Sequence, residues 1–138
     1  MTFSGVAHIS LTVTDLERSK QWYAELLGWE EMMAGESGSV IFAVGVLPGG
    51  QLLALRQHGN GTGDKFDPRR TGLDHLSLDV GSADQLSHWE RRFVDLEVNY
   101  TPTQDMPYGH VLNFKDPDGI ALELFAAPSA RPSERRAR

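Results

Sequence analysis

The chain predicts an α+β fold in which two βαβββ modules curl antiparallel strands into a half-barrel cup with helices outside. One observation is a repeat. Ala7-His8-Ile9-Ser10-Leu11-Thr12-Val13 matches Asp74-His75-Leu76-Ser77-Leu78-Asp79-Val80, and Gly50-Gln51-Leu52-Leu53-Ala54-Leu55 matches Gly119-Ile120-Ala121-Leu122-Glu123-Leu124. His8 and His75 are 67 residues apart and Ala54 and Glu123 are 69 apart, so a common register runs through each half. A fixed offset of this size marks a duplicated structural unit. The other observation is the order of periodicities, which switches from two to 3.6 and back to two in each half.

The elements follow in order. Ala7, Ile9, Leu11 and Val13 alternate with polar residues, as Leu76, Leu78 and Val80 do in the second half. Each such strand has one apolar face that needs a helix against it. Thr14-Asp15-Leu16-Glu17 reads as a capping box, followed by Leu16, Ser19, Tyr23, Leu26 and Leu27 at helical spacing up to Gly28. Ser82-Ala83-Asp84-Gln85 reads as a second box, leading into Leu86, Trp89 and Phe93. Three short strands are then expected near 29–36, 39–46 and 51–56, and again near 98–101, 110–114 and 120–125. Gly38, Pro48-Gly49-Gly50 and Asp116-Pro117-Asp118-Gly119 supply the turns between them. Met106-Pro107-Tyr108-Gly109-His110 reads as a loop at the cup rim.

These elements place a single domain over 1–126, with modules at about 4–57 and 71–126, a linker over 58–70 and a flexible Arg-rich tail over 127–138. Gly59, Gly61 and Gly63 in the linker precede no Lys-Ser/Thr and open no helix, so they make no phosphate loop.

Composition narrows the function classes. A chain of 138 residues with 40% hydrophobic content can bury a core without covalent staples. Cysteine is absent, so any metal must be held by nitrogen and oxygen. No apolar run approaches the ~18 residues of a membrane span and no basic-then-apolar leader opens the chain, so no membrane partner and a cytoplasmic location are expected. Up to Ala127 the chain carries nine basic against eighteen acidic residues. Such a surface repels polyanions, and no nucleic-acid partner is expected. The absence of a Gly-x-Ser-x-Gly elbow excludes the usual serine hydrolase.

The chemistry concentrates on His8, His75 and Glu123. By parity all three lie on the strand faces turned away from the helices, and Glu123 sits between Leu122 and Leu124. A carboxylate in such surroundings needs a partner. Two imidazoles and a carboxylate can hold a divalent metal ion (Fe, Mn, Ni or Zn) and leave positions open, as catalytic sites do. Around them, Arg56, Ser10 and Asn113 are candidate substrate-binding residues. Tyr108 and His110 are candidate catalytic acids or bases. Thr12 and Ser77 are further polar groups of the same faces. His58 and His88 read as surface residues, and Trp22, Trp89 and Phe93 as helix-face core.

On the stretches around His8, Trp22-Tyr23-Ala24-Glu25-Leu26-Leu27-Gly28, Gly72-Leu73-Asp74-His75 and Phe114-Lys115-Asp116-Pro117-Asp118-Gly119-Ile120-Ala121-Leu122-Glu123-Leu124, the chain resembles the vicinal oxygen chelate superfamily. That group includes glyoxalase I, fosfomycin- and bleomycin-resistance proteins and extradiol dioxygenases. The resemblance covers about 4–126. It implies paired βαβββ modules forming a cup around a metal, and a homodimer with shared sites, in which His8 of one chain joins His75 and Glu123 of the other. It also implies a metal-dependent lyase, isomerase, dioxygenase or transferase acting on a small oxygen-rich molecule by bidentate chelation.

Departures from the pattern narrow this. Glyoxalase I carries a second glutamate, ligand and proton-transfer base, where this chain has Ala54; ordinary glyoxalase I chemistry is therefore not expected, and the four-ligand epimerases fit no better. The dioxygenases, and commonly the fosfomycin thiol transferases, carry a tyrosine where this chain has Asn113. The proton acceptor then falls to Tyr108, His110, hydroxide or the substrate itself. The alternative is a resistance protein that binds an antibiotic or other small molecule without catalysis.

Overall fold

A computed structural model of the chain describes residues 1–129. It forms two compact units, the first spanning Met1–Lys65 and the second beginning at Phe66. The first contains strand β1 (His8–Thr12), helix α1 (Leu16–Leu27) and strands β2 (Glu30–Ser37), β3 (Val40–Val46) and β4 (Leu52–His58). The second contains β5 (Leu76–Asp79), α2 (Ala83–Asp95), β6 (Tyr100–Met106), β7 (Gly109–Lys115) and β8 (Ala121–Ala126). Each unit is thus a βαβββ module, as the repeat requires. Among the described residues no helix is long and apolar enough to cross a membrane.

The sheets have orders β1-β4-β3-β2 and β5-β8-β7-β6. They are mixed, which corrects the expectation of wholly antiparallel strands: β1 pairs with β4, and β5 with β8, in parallel. The helical crossover returns the chain in the direction in which it left. The following meander then brings its third strand beside the first in the same sense.

In the first unit Leu11, Leu53, Leu55 and Ala43 are buried together with Leu16, Tyr23, Leu26 and Leu27 of α1. Gly45 leaves the room that Trp29 fills. A Cβ there would lie 2.2 Å from the indole Cε2, whose ring nitrogen donates to Leu53 O at 2.9 Å. In the second unit Phe93 of α2 is fully buried, with ring centroids 4.7 Å from Phe114 and 5.6 Å from Tyr100. Trp22 and Trp89, expected in the core, are only half-buried, and Tyr23 and Phe93 take the central places. A second tie joins α2 to β6: Glu90 Oε1 accepts from both the backbone N–H and the hydroxyl of Thr103. These two bonds hold the Glu90 carboxyl below its ordinary value.

Helix ends show what sequence reading anticipates and what it misses. The N-cap of α1 is Asp15 rather than Thr14, and its carboxylate accepts from Arg18 N at 3.1 Å. The Leu16 N–H is taken by Gln57 Oε1 at 2.7 Å, a tertiary bond that local sequence cannot foresee. Ser82 does cap α2 by position, but its side chain makes no capping bond. Both helices end with a backbone bond reaching back over a left-handed residue: Val98 N–H to Phe93 O, five residues back, closes α2, and Trp29 N–H to Tyr23 O, six residues back, closes α1. Gly28 supplies the left-handed residue in the first (φ 69°), whereas Glu97 occupies the equivalent place in the second (φ 54°). A side chain there is strained. Glu97→Gly is expected to raise the unfolding free energy by about 1 kcal/mol in chemical denaturation; an unchanged or lower value would refute that account.

The segment expected as a linker is divided between the units. β4 runs on to His58, and Gly59 N–H bonds Ser39 O. Phe66 N–H bonds Asp118 O in the second unit. The tail expected over 127–138 lies, from residue 130 on, outside the described residues.

Candidate metal and substrate site

The second sheet presents a polar row on the face opposite α2. Ser77 is in register with Glu123, Glu123 with Asn113, and Asn113 with Thr101, so all four side chains share that face. Leu122 and Leu124 on either side of Glu123 are buried, which fixes the parity. The Ser77 hydroxyl donates to Glu123 Oε1 at 2.8 Å. The other carboxylate oxygen, Oε2, lies 3.9 Å from His75 Nε2. At the far side of the imidazole, Nδ1 lies 2.6 Å from Asp74 Oδ1. The Glu123 side chain is 13% exposed and that of His75 43%.

Two of the three expected ligands are therefore brought together, each with its outer atom already engaged. A carboxylate at Nδ1 fixes the tautomer that leaves Nε2 as the free donor atom, and a hydroxyl on Oε1 leaves Oε2 as the free oxygen. Asp74 is a residue that sequence reasoning misses. Its signal is a carboxylate immediately before a histidine at a strand entrance. Among the described residues no group of three or more His, Asp or Glu side chains is gathered closely enough to hold a metal ion. The second unit brings His75 and Glu123 of the expected set together, and His8 stands exposed on β1 of the first unit.

The first sheet carries the counterpart row Ser10, Ala54, Val44 and Met33. Ala54 takes the place of Glu123, and Val44 that of Asn113. This row is apolar except for Ser10, and Ala54 is buried at 4% exposure. Arg56 is in register with Thr12 and Phe42, and its guanidinium carbon sits 5.5 Å from the Phe42 ring centre. That contact holds the side chain on the face it shares with Ser10, at a strength typical of cation–π pairs.

The two candidate acid–base residues fall elsewhere in the second unit. β6 and β7 extend to Met106 and Gly109, so the expected rim loop is only the two-residue turn Pro107-Tyr108. Tyr108 is 60% exposed there. His110 lies inside β7, paired across the sheet with Ala126 and Asp105, on the face of Leu112 and Phe114 rather than that of Asn113 and Glu123. Its Nδ1 contacts Asp105 Oδ1 at 2.5 Å. Gly109 permits this close strand start, since a Cβ would lie 2.6 Å from the Phe125 ring. His88, expected at the surface, is exposed and engages Arg91 at 2.7 Å.

A duplicated βαβββ module with mixed four-stranded sheets and a histidine–glutamate pair on the face away from the helix defines a class. The chain belongs to the Glyoxalase/Bleomycin resistance protein/Dioxygenase superfamily, whose profile matches residues 5–124. It is similar to a glyoxylase/bleomycin resistance protein/dioxygenase domain from Frankia sp. EAN1pec, with 46% identity, 92% of this chain and 100% of that one covered, and a TM-score of 0.87. It is 28% identical over 128 residues to the uncharacterized protein YwkD of Bacillus subtilis (strain 168), covering 91% of this chain and 98% of that one. The fold also matches a mutant form of the fosfomycin resistance protein FosX of Listeria monocytogenes, complexed with Mn(II) and 1S,2S-dihydroxypropylphosphonic acid. That match has a TM-score of 0.71 at 21% identity, covering 92% and 93% of the two chains.

Proposed function

We propose that the protein is a metal-dependent enzyme acting on a small oxygen-rich molecule, with His8, His75 and Glu123 as ligands to a divalent cation. The observation that carries this reading is the arrangement at His75 and Glu123: Nε2 and Oε2 face each other at 3.9 Å while Asp74 and Ser77 occupy the opposite atoms. A neutral imidazole nitrogen and a carboxylate oxygen, each oriented from behind, are a fitting donor set for a borderline divalent ion. The third ligand, His8, is assigned to a second copy of the chain, which makes the homodimer part of the site.

A bound divalent ion would supply Lewis acidity and, with one carboxylate ligand, a net +1 charge favouring two neighbouring substrate oxygens. The chain's own residues do the rest. Asp74 holds the His75 ring, Ser77 holds Glu123, and Asn113, next in the row, offers an amide for a substrate oxygen. Ser10 and Arg56 line the equivalent face of the first sheet, and Arg56 is the group for an anionic substituent. Tyr108 and His110 are the proton-handling candidates. The strand face on which His110 sits, away from Glu123, favours Tyr108.

A second reading, binding of an antibiotic or other small molecule without chemistry, is favoured by one observation. Ala54 stands where a fourth ligand and base would be and is packed into the core. Calorimetric titration separates the readings. Metal-stripped protein is expected to take up Mn²⁺ tightly among Fe²⁺, Mn²⁺, Ni²⁺ and Zn²⁺, the ion found with the FosX protein of the same fold. His75→Ala is expected to weaken that uptake by at least about 10-fold. Absence of tight binding, or an unaffected variant, would leave only the non-catalytic reading.

A further inference from the structure

Beside His75 the second unit opens a cavity of about 270 Å³, lined among others by Asn99, Thr101, Asn113 and Lys115 above an apolar floor that includes Ala121. Asn113 is half-buried and belongs to the row that carries Glu123, whereas Asn99, Thr101 and Lys115 are exposed. Lys115 is the last residue of β7, and its backbone N–H is spent on Asn99 O at 3.0 Å. That bond ties the loop before β6 to the rim of the cavity. The charges around it are uneven. Asp74 also lines the cavity, but its carboxylate is engaged by His75. The Lys115 ammonium enters no ion pair or hydrogen bond among the described residues.

We propose that this cavity takes the part of the substrate that does not touch the cation, and that this part ends in a second oxyanion, a carboxylate in the simplest case, neutralised by Lys115. The inference rests on the metal-site reading above and adds the chemical class of the ligand: two neighbouring oxygens for the cation, then a short carbon spacer, then an anionic end. A compact acid satisfies the dimensions, because His75 and Lys115 border the same small cavity. The polar groups suit the task. Thr101 and Asn113 offer donors to the oxygens between the two ends, and the apolar floor accepts the carbon spacer. In a protein whose body carries eighteen acidic against nine basic residues, an anion needs such a locally unpaired cation to bind.

The test compares two probes on Mn²⁺-loaded protein at low ionic strength. Glycolate presents neighbouring hydroxyl and carboxylate oxygens alone, and malate presents the same pair with a further carboxylate. Calorimetry is expected to find malate bound about 2- to 5-fold more tightly than glycolate, the range an accessible charge pair supplies. The preference is expected to shrink with added salt. Lys115→Met is expected to reduce the ratio to about one, and Lys115→Arg to restore it. If Mn²⁺ binds but the ratio is near one in the wild type, or is the same in Lys115→Met, the anion subsite is overturned and the metal reading stands. If Mn²⁺ does not bind, both fall together.

Discussion

Glu123→Ala is expected to weaken divalent cation binding by more than about 100-fold, while the protein stays folded. The size follows from the chemistry of the row. Groups that merely orient a ligand are commonly worth about 10- to 100-fold in affinity, so removing the sole carboxylate of the proposed ligand set is expected to exceed that range. Ser77→Ala, which frees Glu123 Oε1 from its 2.8 Å bond, is expected to fall inside the range, at about 10-fold. The fold should tolerate both changes, because the Ser77 and Glu123 side chains lie on the face opposite the packed leucines. Calorimetry with Mn²⁺, alongside a denaturation curve for each variant, measures the pair. Equal losses in the two variants would contradict the assignment of Glu123 as ligand and Ser77 as its support.

Phe93→Ala is expected to lower the unfolding free energy by about 3 to 5 kcal/mol, the usual cost of removing a buried aromatic ring. Phe93 is the deepest residue of α2 and meets Trp89, Tyr100 and Phe114, so the cavity left behind has three aromatic walls that cannot all close in. The loss should appear as a lower denaturation midpoint with an unchanged slope. Phe114 neighbours Asn113 in β7, so the variant should also weaken metal and ligand binding through a looser sheet. A loss below about 1.5 kcal/mol would mean that α2 is not held by this cluster.

Most of the architecture is legible because it is written in periodicity. The alternation around His8 and His75, the helical spacing of Leu16, Tyr23 and Leu27, and the 67- and 69-residue offsets all report which face of each element is buried. They report nothing about strand order, so the parallel β1–β4 and β5–β8 pairs escape them. Position along the chain misleads at Met106 to His110, where Pro, Tyr and Gly look like loop chemistry. There a two-residue turn lets both strands run to its edge, and His110 falls inside β7 rather than on a rim loop. The capping bond of α1 falls to Asp15, and Gln57, 41 residues away, occupies the Leu16 N–H. Long-range hydrogen bonds leave no local mark.

The site divides in the same way. Parity alone puts Glu123 and Asn113 on the open face, and the register sets them side by side with Ser77 and Thr101. The role of Asp74 is hidden, because whether neighbouring side chains meet depends on the chain's path into β5. Lys115 and Thr101 are hidden too, since a cavity is made by the juxtaposition of β6, β7 and the loop before them. The contrast between the modules is visible in the residues themselves: Ala54 and Val44 stand where the second module has Glu123 and Asn113, so only the second carries the full polar row.

Electron paramagnetic resonance of Mn²⁺ bound to protein with ¹⁵N-labelled histidine gives the most direct test. Two imidazole nitrogens coupled to one ion are expected in the wild type, falling to one in His8→Ala and to one in His75→Ala. In a mixture of these two variants, heterodimers should regain one site with both nitrogens. Spectra with no nitrogen coupling, or a signal in His8→Ala identical to the wild type, would contradict the proposed cation held by His8 of one chain with His75 and Glu123 of another.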